Sequence, residues 1–284
     1  MNSSKIPETD KIISLLSEGK TRSEIAKIFK VHEATITNWL KKFKINVKDY
    51  TEFRLSYNVH VFDTIDSEEK AYWLGFLYAD GCVLYNNTTS TRNYYHVRIA
   101  LKSTDIEHLR KFKDFLQDNR DDSIIHIRTE NKNGKIYESC RYSVSNKHLA
   151  ESLVNLGCTP RKSLTLTFPD IKKFNNPDLI FDFIRGYCDG DGCLSYYTKR
   201  GKTYPSINIV GTYDFLSGIT KYIPQFKKVY KKRGENVFQL DTRNKLAREV
   251  ANKLYGHATI YLDRKYERFK ALFKYNDSEI NNGE

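Results

Sequence analysis

Residues 72–82 read Tyr-Trp-Leu-Gly-Phe-Leu-Tyr-Ala-Asp-Gly-Cys, and residues 183–193 read Phe-Ile-Arg-Gly-Tyr-Cys-Asp-Gly-Asp-Gly-Cys. Aligned end to end, both carry a Gly, a small residue four positions on, and then Asp-Gly-Cys. The small pairs are Gly75/Ala79 and Gly186/Gly190. On a helix, positions i and i+4 share a face, so each segment reads as a helix that admits a very close neighbour. Each helix ends in an aspartate, Asp80 and Asp191. Packed against each other, the two helices bring two carboxylates together at one end. Paired carboxylates of this kind suit hard divalent cations.

Around this pair the chain runs to 284 residues with a net charge of +12. That length suits two domains, or one large domain with an appendage. The charge suits a polyanionic partner and says nothing of sequence specificity. No apolar run approaches the roughly 20 residues of a membrane span. Residues 1–11 are polar and charged, unlike a signal peptide. The expectation is a soluble, intracellular protein: cytoplasmic or nucleoid-associated in a bacterium or phage, with an organelle left open. The five cysteines are Cys82, Cys140, Cys158, Cys188 and Cys193. Their odd count and scatter argue against a disulfide framework, and no zinc spacing occurs. By the repeat, Cys82 and Cys193 are expected at small buried positions after each motif helix.

Residues 1–45 form a separate small unit. Ile12, Ile13, Leu15 and Leu16 mark a first amphipathic helix. Thr21-Arg-Ser-Glu24 is a capping-box pattern opening a second, with Ile25 and Ile28 inside. A third follows Val31-His32, with Ile36, Trp39, Leu40 and Phe43 inward. Three short helices with a tight second turn predict a helix-turn-helix. The outward face of its third helix offers Thr35, Asn38, Lys41 and Lys42, residue types that read base edges or hold phosphate. A three-helix interaction module is the competing reading. Residues 46–66 read as a linker. Residues 67–169 and 170–284 then repeat one order of elements, αββαββα, with a short polar tail from Asn276. In 96–102 the alternation is clean: Val97, Ile99 and Leu101 face one way; His96, Arg98, Ala100 and Lys102 face the other. The fold class is therefore α+β: two pseudo-symmetric repeats whose sheets form a saddle, preceded by a small all-α unit. Arg98, Lys102, Arg128, Arg141, Asn208 and Lys231 are candidates for the saddle's polar face. Lys199, Arg200 and Lys202 lie in a loop, 198–204, placed to reach along a duplex.

Trp73–Gly81 and Ile184–Gly192 resemble the LAGLIDADG motif of homing endonucleases. The first has Tyr78 where the family has an earlier acidic residue; the second keeps it as Asp189. The resemblance extends to 156–163 and 260–268, where Lys162 and Lys265 stand at the positions of the family's active-site lysines. The N-terminal strings Ser-Glu-Ile-Ala-Lys-Ile-Phe-Lys-Val and Ala-Thr-Ile-Thr-Asn-Trp-Leu resemble helix-turn-helix segments of resolvases and transposases. The resemblance implies hydrolysis of DNA phosphodiesters. Asp80 and Asp191 would ligate Mg²⁺ (or Mn²⁺) with the backbone carbonyls of Ala79 and Gly190, while Lys162 and Lys265 polarise solvent or offset developing charge. It implies double-strand cuts with 3′ overhangs, a non-palindromic duplex target and action as a monomer with no protein partner. Two readings stay open: a DNA-binding regulator of the same fold without cleavage, and an RNA maturase.

Overall fold

The computed structural model describes residues 9–47, 56–86, 94–232 and 237–274. The polar loop after residue 86 and the tail from Asn276 lie outside them. The chain divides into two compact units: Met1–Val59 with Gln117–Asn119, and His60–Leu116 with Arg120–Glu284.

The smaller unit contains α1 (Thr9–Ser17), α2 (Arg22–Phe29) and α3 (Glu33–Lys42). Thr21 caps α2 in a reciprocal box: its Oγ1 accepts from Glu24 N at 3.2 Å, and Glu24 Oε2 accepts from Thr21 N at 2.7 Å. This satisfies two of the donors a helix start leaves open. His32 Nδ1 accepts from Ala34 N and so opens α3. Ile12, Leu16, Ile25, Ala26, Ile36, Trp39 and Leu40 form the core. Ile28 does not join it and is 47% exposed. The buried stripe of α2 follows Ile25, Ala26 and the partly buried Phe29, which leaves Ile28 outside it.

The larger unit holds α4 (Glu68–Ala79), β1 (Gly81–Asn86), β2 (Tyr94–Lys102), α5 (Ile106–Phe115), β3 (His126–Lys132), β4 (Lys135–Val144) and α6 (Lys147–Asn155). The order then repeats as α7 (Leu179–Asp191), β5 (Gly192–Lys199), β6 (Lys202–Gly211), α8 (Tyr213–Tyr222), β7 (Tyr230–Lys231), β8 (Phe238–Arg243) and α9 (Asn244–Tyr255). A further helix, α10 (Asp263–Lys274), follows. The sheets are antiparallel and share one strand order, β1-β2-β4-β3 and β5-β6-β8-β7. The expected αββαββα repeat is therefore present twice. Residues expected in the linker are partly core: Val61, Phe62 and Ile65 are buried, and Ile65 bridges Phe174.

The repeats meet at α4 and α7. A Cβ placed on Gly75 would lie 1.9 Å from Phe183 O, and one on Gly186 1.9 Å from Tyr72 O. One placed on Gly190 would stand 2.3 Å from Ala79 Cβ. Backbone thus packs on backbone, as the small-residue spacing required. Arg185, 3% exposed, locks the same joint. It pairs with Glu68 and Asp182 at 2.7 Å each and donates to Ile260 O and Leu254 O. Among the described residues, no helix is long and apolar enough to cross a membrane.

Candidate active site and nucleic-acid face

Asp80 caps the C-terminus of α4, and Asp191 is the last residue of α7. Close packing at Gly190 sets the two ends side by side: a Cβ there would lie 3.3 Å from Asp80 Oδ2. Two clefts flank the joint. One, of about 560 Å³, is lined by Asp80, Gly190, Lys102 and Arg264. The other, of about 250 Å³, is lined by Asp191, Ala79, Lys162 and Tyr187. Each therefore pairs the aspartate of one motif with the small residue preceding the aspartate of the other. Burial, then the Asp191 charge, pushes the Asp80 carboxyl up to about 6. Burial also raises Asp191, a rise that the neighbouring Tyr187 hydroxyl and the Lys162 and Lys265 charges reduce without cancelling; the Tyr187 Oη proton itself goes to Val210 O at 2.9 Å. The position equivalent to Tyr187 in α4 is Phe76, so Asp80 has no such relief.

Lys162 and Lys265 are both buried, 8% and 3% exposed. Lys265 Nζ donates to Cys188 O, Asp189 O and Gly192 O at 2.6–2.7 Å and to Gly190 O at 3.4 Å. Lys162 Nζ donates to Gly81 O. The Lys265 ammonium closes the carbonyl end of α7, where a cation is favoured, and Lys162 binds the first carbonyl of β1, just past the end of α4. Both also lower the Asp80 and Asp191 carboxyls by their charge.

The residues two before the aspartates explain the difference between the motifs. Asp189, fully buried, accepts from Tyr72 Oη, Tyr255 Oη and Leu262 N, all at 2.7 Å. Leu262 lies just before α10, which carries Lys265. Tyr78 instead donates to Leu156 O at 2.6 Å, in the segment leading to Lys162. Each motif helix thus clamps the lysine segment of its own repeat, one by accepting and one by donating.

The strand faces not covered by helices carry most of the expected cations. By register Arg98, Lys102, Arg128 and Arg141 share one face of the first sheet with Cys82 and His126. Asn208 shares the open face of the second with Cys193, Gln239 and Arg243. Lys199, Arg200 and Lys202 do not form a loop. They finish a ribbon in which Lys199 opposes Lys202 across a two-residue turn, with Arg200 and Gly201 at φ 51° and 74°. Lys231 is a correction: it opposes Phe238 and takes the parity of buried Leu240, so Tyr230 faces with Asn208 instead. Cys82 and Cys193 are corrections too. Both are exposed, and the buried thiols around the motif helices are Cys158 and Cys188. In the smaller unit Asn38, Lys41 and Lys42 are exposed and Thr35 is half-buried.

The sequence reading missed Arg264, which lines the Asp80 cleft and holds Asp105 at 2.9 Å. A signal was present: Arg161-Lys162 and Arg264-Lys265 are equivalent doublets. It also missed Tyr187 and the helix around Lys265.

No protein-family model matches the sequence, and no curated protein matches it. Solved structures do match. A point mutant of I-SmaMI superposes with a TM-score of 0.51 at 11% identity, over 75% of this chain and 92% of that one. The LAGLIDADG meganuclease I-AabMI gives 0.47 at 15% over 74% and 91%. The LAGLIDADG homing endonuclease I-GzeII gives 0.45 at 16% over 72% and 88%. Two matched repeats meeting at glycine-packed helices, each helix ending in an aspartate, give this chain the fold of the LAGLIDADG homing endonucleases.

Proposed function

We propose that the chain is a divalent-metal-dependent, site-specific DNA endonuclease. The observation that supports it is the pair of clefts in which Asp80 lies with Gly190 and Asp191 with Ala79. The donors fit a hard cation such as Mg²⁺ or Mn²⁺: two carboxylates, and main-chain carbonyls in the last turn of each helix. Gly190 O has only the longest of the four Lys265 contacts, 3.4 Å, which leaves it accessible to a ligand. A bound divalent cation supplies acidified water and charge stabilisation for phosphodiester hydrolysis.

The residues of the chain do the rest. Asp80 and Asp191 hold the cations once ionised. Lys162, Lys265 and Arg264 place positive charge beside the developing phosphorane, where fixed charge costs no reorganisation. Lys162 and Lys265 also fix the helix ends, so the carboxylates do not move as charge builds. Arg98, Lys102, Arg128, Arg141, Lys199, Arg200 and Lys202 hold phosphates, and Asn208 reads a base edge. The two open faces differ in sequence, so the target is non-palindromic and one chain suffices. The motif resemblance adds 3′ overhangs to this expectation. In the smaller unit, Thr35, Asn38, Lys41 and Lys42 would contact a duplex as a helix-turn-helix does.

The test is cleavage of a complex DNA pool with Mg²⁺ or with EDTA. Wild type should give discrete double-strand cuts only with the metal. Asp80→Asn and Asp191→Asn should each cut at least 10²-fold more slowly or leave nicks, since each removes a charged ligand. Tight, sequence-specific binding with no cutting in Mg²⁺ or Mn²⁺ would replace the enzyme with a regulator of the same fold.

A further inference from the structure

We infer that His60, Asp63 and His148 form a second metal site, chemically distinct from the aspartate pair, for a borderline divalent cation of the Zn²⁺, Co²⁺ or Ni²⁺ class. Their candidate ligand atoms all lie within 4.8 Å of one another. Asp63 stands between the imidazoles, with Oδ2 2.7 Å from His60 Nδ1 and Oδ1 2.6 Å from His148 Nε2. The two rings are 4.5 Å apart, so both present a nitrogen edge to one carboxylate. Ligands about 2.0–2.1 Å from zinc stand roughly 3.3 Å apart on a tetrahedral edge. A cation held by one Asp63 oxygen replaces the protons now shared with the carboxylate, and side-chain rotation brings ligand atoms already within 4.8 Å of one another to that spacing.

The backbone beneath is fixed, and the ligand tips lie at the surface. His60 and Asp63 close a turn through Asp63 N to His60 O, pinned by Val61 and Phe62, which are 5% and 1% exposed. His148 lies in α6 beside Leu149 and Ala150, both fully buried. The three side chains themselves are 39–50% exposed. Ser152 Oγ donates to Asp63 Oδ1 at 3.1 Å and orients the carboxylate as outer-shell donors do. The exposure of the three side chains lets solvent water take the fourth position. Coordination uses the lone pairs of His60 Nδ1 and His148 Nε2. The ring protons then sit on His60 Nε2 and His148 Nδ1.

Two imidazoles and one carboxylate select this cation class over Mg²⁺, which prefers oxygen ligands. The expected role is a staple, joining the segment that opens the larger unit to α6 of the first repeat. The experiment uses the full chain, stripped with EDTA and dialysed against Zn²⁺ in excess Mg²⁺, with bound metal and the unfolding midpoint measured. One tight Zn²⁺ per chain is expected, lost in His148→Gln and in His60→Gln. At a hundredfold excess over Kd, Zn²⁺ should raise the wild-type midpoint by about 5–10 °C and leave the variants unmoved. Co²⁺ should give d–d bands without intense thiolate charge transfer, which separates this site from exposed Cys82 and Cys193. Three results overturn the proposal. They are Zn²⁺ binding that survives both substitutions, a thiolate-dominated Co²⁺ spectrum, or variants that lose equal stability with and without Zn²⁺, which is a hydrogen-bonded staple alone.

Discussion

At the scale of single residues, Asp80 shows chemistry placed where it weakens the fold. An acid raised to about 6 binds its proton more tightly folded than unfolded. Its contribution therefore favours the fold fully below its ordinary value of 3.8 and is lost as pH rises through about 6. Above that, the metal-free protein holds an ionised carboxylate beside Asp191, and the Lys265, Lys162 and Arg264 charges offset only part of the cost. Asp80→Asn should therefore raise the metal-free midpoint by about 1–3 °C near pH 7.5, a small figure because neighbouring cations already offset part of the charge and the residue keeps solvent contact at its cleft, and give no gain near pH 3.5. A thermal-shift series across pH in EDTA checks it. A lower midpoint at neutral pH would mean that Asp80 serves mainly as a helix cap. The conventional motif positions were legible one by one: Asp80, Asp191, Lys162 and Lys265 all lie at the two clefts or close the motif helix ends. The partner of each was not. Tyr187 lies one helical turn before Asp191, a spacing the linear order carries but that says nothing of which hydroxyl partner is chosen, and Arg264 reaches the Asp80 cleft from the other repeat, a contact that only the tertiary fold creates.

Among elements, the α4–α7 joint carries the largest mechanical demand, because it sets the spacing of both carboxylates at once. Gly186→Ala would force a methyl to within 1.9 Å of a main-chain oxygen, which no side-chain rotation relieves. The helices must separate, at a cost of about 3 kcal/mol and roughly 6–12 °C in midpoint. Surviving folded protein should cut at least tenfold more slowly, since separation at Gly186 also displaces Gly190 from Asp80. Single-turnover cleavage below the new midpoint measures this, and wild-type rates would show that the spacing is not what the site depends on. The elements were legible where periodicity and the repeat agreed: both motif helices, the four long strands and the helices behind them. They were not where pairing sets the outcome. Only two residues of β7 enter the sheet, and the parity of Lys231 is set by Phe238. The β5–β6 ribbon runs through residues whose composition reads as loop, because Arg200-Gly201 supplies the left-handed turn that lets the strands continue.

Across the whole molecule, the excess of twelve positive charges is organised by the repeat. Alternation along the strands sends apolar side chains under the helices and leaves Arg98, Lys102, Arg128 and Arg141 on one open face, Lys199 and Lys202 on the other. Acids on these faces are few, and the two at hand are paired: Glu130 with Arg128 and Lys132, and Asp241 with Arg243. Each cation that replaces a condensed counterion on duplex DNA contributes about −0.9 to the slope of log affinity against log salt. Six or seven phosphate contacts give a slope near −6. Arg141→Ala should flatten it by about 0.9 and weaken target and unrelated duplex alike, because a phosphate contact carries no sequence information. Lys231→Ala removes the same formal charge from the other side of its sheet and should leave the slope unchanged. Net charge alone predicts that the two substitutions act equally; the strand register predicts that they do not. Equilibrium binding of both variants over a salt series, in Ca²⁺ so that no product forms, decides between them.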